Sequence, residues 1–444
     1  KTDRILAFAD FVSNNPLAED ENGHGTHVAA IIANSQHGLD EEWNGVAPGV
    51  DLVGVRVLDE TGTGSYVKVI QGIQWVIRHK DIYNIKVMNL SIIANAVSPY
   101  WADPLNQAVT RAWAEGIVVV TAAGNAGPGS MTIGVPGNNP YVITVGAFTD
   151  NYTPMDFNDD YVVPFSSSGP TLDGFVKPDV VAPGAHITSL MKNNAYLIKQ
   201  EIAQPVGRNY YQLAGTSQAT AVVSGLSALI LSKHPELTPD QVKLRIMGTS
   251  FVWVDPESTE ALYSMWQQGA GRINAYDAVF AEIEGLANEG MDIWADLAGD
   301  IHYEGYSYYD ETDAVYKLRG DFGTWSGGYG VWSGDYGVWS GGYGVWSGDY
   351  GVWSGDYGVW SGDYGVWSGG YGVWSGDYGV WSGGYGVWSG GYGVWSGGYG
   401  VWSGTEPWAE TDLATYEFVN NYLEAIPPEP GSAAALIGIV ESNK

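Results

Sequence analysis

The stretch Ala214–Leu231, AGTSQATAVVSGLSALIL, carries the strongest indication of how this 444-residue chain folds. Ser217 lies near the beginning of the stretch, where a helix is predicted to start. The helix is rich in small residues, namely Ala219, Ala221, Ser224, Gly225 and Ala228. So many small side chains predict a buried helix that packs close to neighbouring backbone. Its amino end offers free N–H groups and a positive dipole end to any charge that forms there.

Four apolar segments around this helix are predicted to be strands. They are VDLVGVRVL (50–58), IKVMNLS (85–91), GIVVVTAAGN (116–125) and YVITVGA (141–147). Their apolar residues run on without alternation, as in parallel strands buried on both faces. Helices are predicted between them over 65–79 and 103–116, and another begins at Thr238. This order of strand, helix and strand predicts a doubly wound α/β domain with a mostly parallel sheet.

The composition narrows the class of protein. Acidic residues outnumber basic ones by 50 to 19, and the formal charge of −31 argues against nucleic acid and anionic membranes as partners. The absence of cysteine excludes disulfides, thiolate metal sites and a cysteine nucleophile. The apolar runs are too short to predict a membrane span. The sequence begins with Lys1 rather than Met, and the first predicted segment follows without a signal peptide. We therefore expect an amino terminus that has been processed or truncated.

Two further segments carry polar residues that can act together with Ser217. In NGHGTHVAAIIA (22–33), His24 stands between two glycines at the start of a predicted helix. VVVTAAGNAGPG (118–129) is a strand whose end places Asn125 at the carboxyl edge of the sheet, where open α/β sheets bind ligands. A serine, a histidine and an amide donor at one sheet edge form an acyl-transfer set. The histidine would take the serine proton, the serine would attack a carbonyl, and the amide would stabilise the oxyanion.

These segments resemble those of the subtilisin-like serine proteases (subtilases), over roughly residues 1–280. Further matching blocks are VAPGVDLVGVRVLDETGTGS (46–65), FSSSGPTLDGFVKPDVVAPG (165–184), LTPDQVKLRIMGTS (237–250) and GAGRINAYDAV (269–279). The resemblance implies that His24 is the general base and acid, Ser217 the nucleophile and Asn125 an oxyanion donor. It also implies peptide-bond hydrolysis that requires no cofactor for its chemistry.

The resemblance further implies that a substrate lies extended between two chain segments, in a β-augmentation mode. One segment is Gly62, Thr63 and Gly64, and the other is Ser91, Ile92, Ile93 and Ala94. The floor of the pocket for the side chain before the cleaved bond is formed by Gly134, Val135, Pro136 and Gly137. Subtilases usually have Ser-Leu-Gly-Gly where this chain has Ser91 to Ala94, so we expect a narrowed or shifted cleft. Gln218 replaces the usual Met after the nucleophile, which predicts activity that survives peroxide.

The carboxylate that should orient His24 is less evident. An orienting acid fixes the tautomer of the imidazole and stabilises the imidazolium. Asp10 follows the apolar run ILAFA, but the Ser/Thr-Gly that follows the acid in subtilases is missing. We therefore expect the acid in a strand upstream of Lys1, outside this chain. Asp10 is the less favoured alternative, and Asp20 or Glu21 is a weaker option.

Metal binding is disfavoured at two places. His27 lies one turn after His24, yet no third ligand stands at metal spacing, so structural packing is favoured. The cluster Asp156, Asp159 and Asp160 is a candidate for the structural Ca²⁺ that subtilases often use. A solvated acidic loop is the favoured interpretation.

Four regions are predicted along the chain: a catalytic domain (1–280), an acidic connector (281–324), heptapeptide repeats (325–404) and a C-terminal segment (405–444). Trp-Ser-Gly occurs twelve times, within the unit WSG(G/D)YGV. Two or three glycines per repeat oppose a helix, so we expect short strands and turns stacked into a β-solenoid or ribbon. A flexible low-complexity stalk is the alternative.

Two functions are compatible with these features. The first is a serine endopeptidase that acts on protein or peptide substrates at an extracellular or cell-surface location. Its tail would self-associate or bind a surface. The alternative is a catalytically inactive subtilase fragment whose aromatic repeats serve as an adhesion or self-association module. Labelling of Ser217 by a fluorophosphonate probe would distinguish them.

Overall fold

The computed structural model describes residues 4–403 and 441–442, apart from gaps at 16, 39–43, 154–155, 158, 254–260, 312–314, 319–321, 327–328, 334–335, 341–342, 348–349, 362–363, 376–377 and 390–391. The helices are α1 (His24–Ala33), α2 (Tyr66–Tyr83), α3 (Pro104–Ala114), α4 (Tyr196–Lys199), α5 (Thr216–Lys233), α6 (Pro239–Gly248), α7 (Met265–Gln268), α8 (Ala275–Phe280) and α9 (Ile293–Ala298), with a 3-10 helix over Tyr100–Ala102. In the described part of the chain, no helix is both long and apolar enough to cross a membrane.

The strands fall into a body and a repeat array. Those of the body are β1 (Ile5–Asp10), β2 (Leu52–Arg56), β3 (Val87–Leu90), β4 (Val118–Ala122), β5 (Ile143–Thr149), β6 (Tyr161–Val162), β7 (Val180–Pro183), β8 (Ile187–Leu190), β9 (Gln204–Gly207), β10 (Tyr210–Leu213), β11 (Tyr303–Glu304), β12 (Ser307–Asp310) and β13 (Val315–Leu318). Strands β8, β10 and β9 form a small antiparallel sheet, and β12 pairs with β13.

A parallel sheet lies at the centre of the body. β4 pairs in parallel with β3 and β5, and β7 pairs in parallel with β5, while the short β6 is antiparallel. Every residue of β4 and β5 is buried, which explains why their sequences are continuous apolar runs. The predicted strands and the α/β class are thereby confirmed.

The predicted helix ends are confirmed by their capping contacts. Asp103 accepts hydrogen bonds from the N–H groups of Leu105 and Asn106 at the start of α3. Thr238 forms a reciprocal capping box with Gln241 at the start of α6. Each cap satisfies N–H groups that have no partner within the helix, and each is followed by a proline that needs none.

Helix α5, which contains the stretch quoted first, is buried as predicted. It packs against α1 and against β3, β4, β5 and β7. Its small residues allow this close approach: a Cβ on Gly225 would lie only 2.6 Å from the Cβ of Val46, and Ala219 and Ala221 are fully buried. The helix therefore fixes the position of Ser217 relative to several strands at once.

Strands β1 and β2 form a separate parallel pair. Among the described residues, β2 is hydrogen-bonded to β1 alone and β3 to β4 alone. All five residues of β2 are only partly buried, in contrast to the fully buried β4. Helix α2 nevertheless packs on β2, since a Cβ on Gly72 would lie 3.1 Å from Val55 Cγ1. The sheet of the body is thus divided between β2 and β3.

Part of the predicted connector packs onto the body. The phenol groups of Tyr100 and Tyr141 donate hydrogen bonds of 2.6 and 2.8 Å to Asp296 in α9, and His302 Nδ1 lies 2.9 Å from the other oxygen of this carboxylate. Tyr303 is 2% exposed and belongs to the main core. The boundary at residue 280 stays a prediction.

The repeat array consists of strands that pair in parallel. They are β14 (Phe322–Ser326), β15 (Tyr329–Ser333), β16 (Tyr336–Ser340), β17 (Tyr343–Ser347), β18 (Tyr350–Ser361), β19 (Tyr364–Ser375), β20 (Tyr378–Ser389) and β21 (Tyr392–Ser403), followed by β22 (Glu441–Ser442), which pairs with β11. Tyr350 pairs with Tyr364, and Tyr364 pairs with Tyr378. Each repeat is therefore aligned with the second repeat after it.

Candidate active site

Ser217 lies in the first turn of α5, just after a tight approach between two loops. Gly215 N–H donates a 2.8 Å hydrogen bond to the carbonyl oxygen of Gly184. A Cβ on Gly184 would lie 3.0 Å from the Gly215 oxygen, so the two backbones are in close contact. This contact holds the amino end of α5, where N–H groups without intrahelical partners are found.

Asn125 is held beside Ser217 by Thr216, the residue before this serine. Its Oδ1 accepts hydrogen bonds from the N–H (2.9 Å) and the hydroxyl (3.1 Å) of Thr216. Because the carbonyl side of the amide is occupied, the NH₂ side is the part that can donate to a ligand. Gly124 has a φ of 117°, a conformation that favours glycine, and it turns the chain at the end of β4.

Ser217 is also tied to the end of β3. The hydroxyl of Ser91 donates a 2.9 Å hydrogen bond to the carbonyl oxygen of Ser217, and Asn89 Nδ2 donates to the same hydroxyl at 3.0 Å. Ser217 Oγ itself lies 3.5 Å from the carbonyl oxygen of Ser91. The hydroxyl thus points to Ser91 in this structure. Loose hydrogen bonds of this kind are common in sites without substrate.

His24 is the first residue of α1, which packs directly on α5. Val28 and Ile31 of α1 form an apolar cluster with Ala221 of α5, so the two helices are in direct contact. Burial lowers the pKa of the His24 imidazole, and the nearby Asp20 carboxylate acts in the opposite direction. Burial therefore favours the neutral ring, the form that a general base requires.

The carboxylates near His24 in sequence have other partners. Burial alone would raise the pKa of Asp10, but hydrogen bonds from Ser13, Val12 and Asn15 lower it to about 2. Its oxygens accept from the N–H of Val12 at 2.7 Å and from the hydroxyl of Ser13 at 2.6 Å. Asp10 thus closes the turn after β1. The structure gives it no hydrogen bond to His24 among the residues it describes.

Asp20 and Glu21 are likewise engaged elsewhere. Asp20 accepts from the N–H of Gly23 at 2.8 Å and from the N–H and hydroxyl of Thr26 at 2.7 Å, so it organises the first turn of α1. Glu21 forms a 2.8 Å ion pair with Arg56. Neither contact orients the ring of His24.

The structure favours packing for His27. This side chain is fully buried, and its Nε2 lies 3.1 Å from the carbonyl oxygen of Tyr211. Burial lowers the pKa of His27 to about 4, although the Tyr211 carbonyl raises it and His24 lowers it further. The ring is therefore neutral at physiological pH.

The proposed acidic cluster is divided between different partners. Asp160 pairs with Arg272 at 2.6 Å, while Asp159 accepts from the hydroxyl of Thr153 at 2.7 Å and from Asn151 at 3.1 Å. Among the residues that the structure describes, no three His, Asp or Glu side chains are grouped so that they could hold a metal ion.

The expected substrate segments differ in their exposure: residues 62–64 lie at the surface, whereas residues 134–137 are buried. Gly62, Thr63 and Gly64 are exposed, and Thr63 is held in a turn by Asp59, whose Oδ1 accepts its N–H at 3.0 Å. On the other side, Ala94 and Val135 exchange backbone hydrogen bonds of 2.9 and 2.8 Å. The segment 91–94 is thereby joined to the predicted pocket floor at Gly134.

Sequence reasoning missed the part played by Thr216. Its N–H and hydroxyl hold Asn125, and the hydroxyl also accepts from the N–H of Gly124 at 3.2 Å. The available signal was its position directly before Ser217 in the block AGTS. A hydroxyl side chain at a helix start usually has a backbone partner nearby.

The body therefore combines a parallel sheet with a serine in the first turn of a buried helix and an amide held beside that turn. Residues 9–284 match the sequence profile of the subtilase family (Peptidase_S8), and the chain belongs to this family. It is 41% identical over 281 residues to the serine protease AprX of Bacillus subtilis, covering 62% of each chain. It is 37% identical over 251 residues to subtilisin DY of Bacillus licheniformis, covering 56% of this chain and 77% of that protein.

The chain thus spans about three fifths of the length of AprX. Among solved structures, sphericase is similar with 26% identity and a TM-score of 0.48, over 60% of this chain and 84% of that one. The family match and the strands described above establish the α/β fold without this last likeness.

Proposed function

We propose that this protein is a serine endopeptidase that cleaves peptide bonds through an acyl-enzyme on Ser217. His24 takes the proton from the hydroxyl as its oxygen attacks the carbonyl carbon, and then gives that proton to the leaving amine. A water molecule, deprotonated by the same imidazole, releases the acyl group. The NH₂ group of Asn125 and the N–H of Ser217 stabilise the oxyanion.

The observation that carries this proposal is the fixed amide beside the nucleophile. Thr216 occupies Oδ1 of Asn125, so the amide presents its donor side next to Ser217 without reorganising during the reaction. The packing of α1 on α5 supports His24 as the base, because His24 is the first residue of α1 and Ser217 is the second residue of α5. A protein or peptide substrate is consistent with the relatives named as proteases.

We further propose that the orienting carboxylate belongs to a strand that is not part of this chain and that would lie in space between β2 and β3. The partial exposure of β2 and the separation of the two sheets support this position. The engagement of Asp10, Asp20 and Glu21 with other groups also supports it. In subtilisin itself, loss of the acid alone costs about 3 × 10⁴ in kcat.

A second candidate function follows from the engagement of Asp10, Asp20 and Glu21 with groups other than His24. If His24 has no carboxylate, the body is catalytically weak, and the parallel repeat array would be the functional part, as an adhesion or self-association module. The formal charge of −31 suits a chain that stays dispersed at an extracellular or cell-surface location. These assignments of location and of the repeats are proposals.

A fluorophosphonate probe with mass detection tests the choice. The endopeptidase proposal requires labelling of Ser217 in the folded chain, its loss in Ser217→Ala and its retention in Ser98→Ala, a matched change in a loop. His24→Gln should slow labelling strongly while leaving the far-ultraviolet circular dichroism unchanged. Absence of labelling in a folded sample would contradict the endopeptidase and support the second function.

A further inference from the structure

The segment between β3 and the 3-10 helix contains two neighbouring isoleucines with different surroundings. Ile92 packs against the main core, as does Ala94. Ile93 instead is 47% exposed, so its side chain contributes little to the interior. An exposed isoleucine in the position where subtilases usually carry glycine needs an explanation other than core packing.

The side chain of Ile93 lies against two glycines of the predicted pocket. A Cβ on Gly134 would lie 2.3 Å from Ile93 Cγ1 and 2.5 Å from its Cδ1, and a Cβ on Gly124 would lie 2.4 Å from the same Cδ1. Ile93 therefore packs directly on both glycines, and the Ala94 oxygen (2.6 Å from a Cβ on Gly134) and Ser167 Oγ (2.7 Å from a Cβ on Gly124) close the other sides. The isoleucine occupies the space above the glycine floor.

This space is the one that a substrate side chain would need. Gly124 directly precedes Asn125, and Ser91 is bonded to the backbone of Ser217. A peptide whose carbonyl lies between Ser217 and Asn125 must place the side chain before the scissile bond beside Gly124. Neighbouring backbone cannot easily withdraw, because Ala94 and Val135 hold each other through two hydrogen bonds.

We propose that Ile93 fills the pocket for the residue before the cleaved bond and restricts that residue to glycine, alanine or serine. This assignment rests on the proposed endopeptidase function. A larger side chain would have to displace Ile93 from its contacts with the two glycines, and overpacking of this kind is unfavourable. Discrimination by one methylene-sized group is worth about 10- to 200-fold in kcat/KM.

The test compares the natural chain with Ile93→Gly, and with Ile93→Ala, which keeps a Cβ in case the glycine variant does not fold. The substrates are succinyl-Ala-Ala-Pro-X p-nitroanilides with alanine, leucine or phenylalanine as X. The natural chain should favour alanine over phenylalanine by about tenfold or more. Ile93→Gly should raise the ratio of kcat/KM for phenylalanine to that for alanine by about tenfold or more.

Val97→Gly is the matched control, because it removes an 82% exposed β-branched side chain from the same segment. A natural chain that favours phenylalanine, a ratio unchanged in both Ile93 variants, or an equal shift in Val97→Gly would overturn the assignment. No turnover and no probe labelling would contradict the endopeptidase instead. The preference is then measured from the dissociation constants of acetyl-Ala-Ala-Pro-Ala and acetyl-Ala-Ala-Pro-Phe. Equal ratios in the natural chain and Ile93→Gly would again overturn it.

Discussion

Acidification from pH 7 to pH 4 should destabilise the natural chain more than a His27→Gln variant. The fully buried ring of His27 has its pKa lowered to about 4, whereas in the unfolded chain it titrates near its usual value of about 6.5. Between these two values the unfolded state binds more protons than the folded state. The free energy of unfolding therefore rises with pH through this window, and it is lost as pH falls.

The expected size follows from the two pKa values. At pH 4 the unfolded chain has gained a full proton on His27 and the folded chain about half of one, which gives a loss of about 3 kcal/mol relative to pH 7. Glutamine does not titrate, and its amide can still donate to the carbonyl oxygen of Tyr211. The variant should lack this loss while it keeps the hydrogen bond.

Urea unfolding of both proteins at pH 7 and pH 4 measures the effect as a difference of differences. The comparison is needed because burial raises the pKa of Asp173 to about 6, which stabilises the folded chain as pH falls through the same range. That contribution is common to both proteins and cancels. A difference below about 1 kcal/mol would show that the folded chain accommodates a charged ring at position 27, and the reasoning from burial would be wrong.

Three further predictions concern the site. Asn125→Ala should lower kcat by about 10²- to 10³-fold with KM nearly unchanged, a magnitude taken from the equivalent change in subtilisin. An unchanged kcat in steady-state kinetics would contradict the role of Asn125 as an oxyanion donor. Asp10→Asn should leave kcat within about threefold and lower the free energy of unfolding by about 1–3 kcal/mol, because the Asp10 carboxylate holds a turn. A large fall in kcat without loss of stability would identify Asp10 as the orienting acid. Proteolytic activity should survive dilute peroxide, because Gln218 cannot be oxidised and Met191, which lies against Gly23, is only 2% exposed. Rapid inactivation would contradict this.

The central sheet and several helix ends could be predicted because their signals are local. A continuous apolar run such as 116–125 is compatible with a strand buried on both faces, and the pair Asp103-Pro104 combines a side-chain cap with a residue that lacks an N–H. The contacts between distant segments carry no such signal. The packing of Asp296 and Tyr303 onto Tyr100 depends on tertiary structure, so composition alone suggested only an acidic connector.

The candidate site shows the same limit. The motifs predicted which side chains matter, since His24, Ser217 and Asn125 stand in conspicuous segments. They could not predict that Thr216 fixes the amide or that Ile93 lies against Gly134, because both depend on how loops meet. The sequence indicated only that Asp10 has unusual neighbours for an orienting acid. Its hydrogen bonds to the turn after β1 give the physical reason.

The alignment of each heptapeptide with the second one after it has a consequence for how the array can change over generations. Duplication or deletion of two units, 14 residues, leaves every surviving strand with an equivalent neighbour, as Tyr350 has in Tyr364 and Tyr364 in Tyr378. Loss of a single unit of seven residues would instead shift every later heptapeptide by one position within the 14-residue period, so that odd-numbered units would take the places of even-numbered ones. Variants of this gene should therefore differ in tail length by even numbers of units.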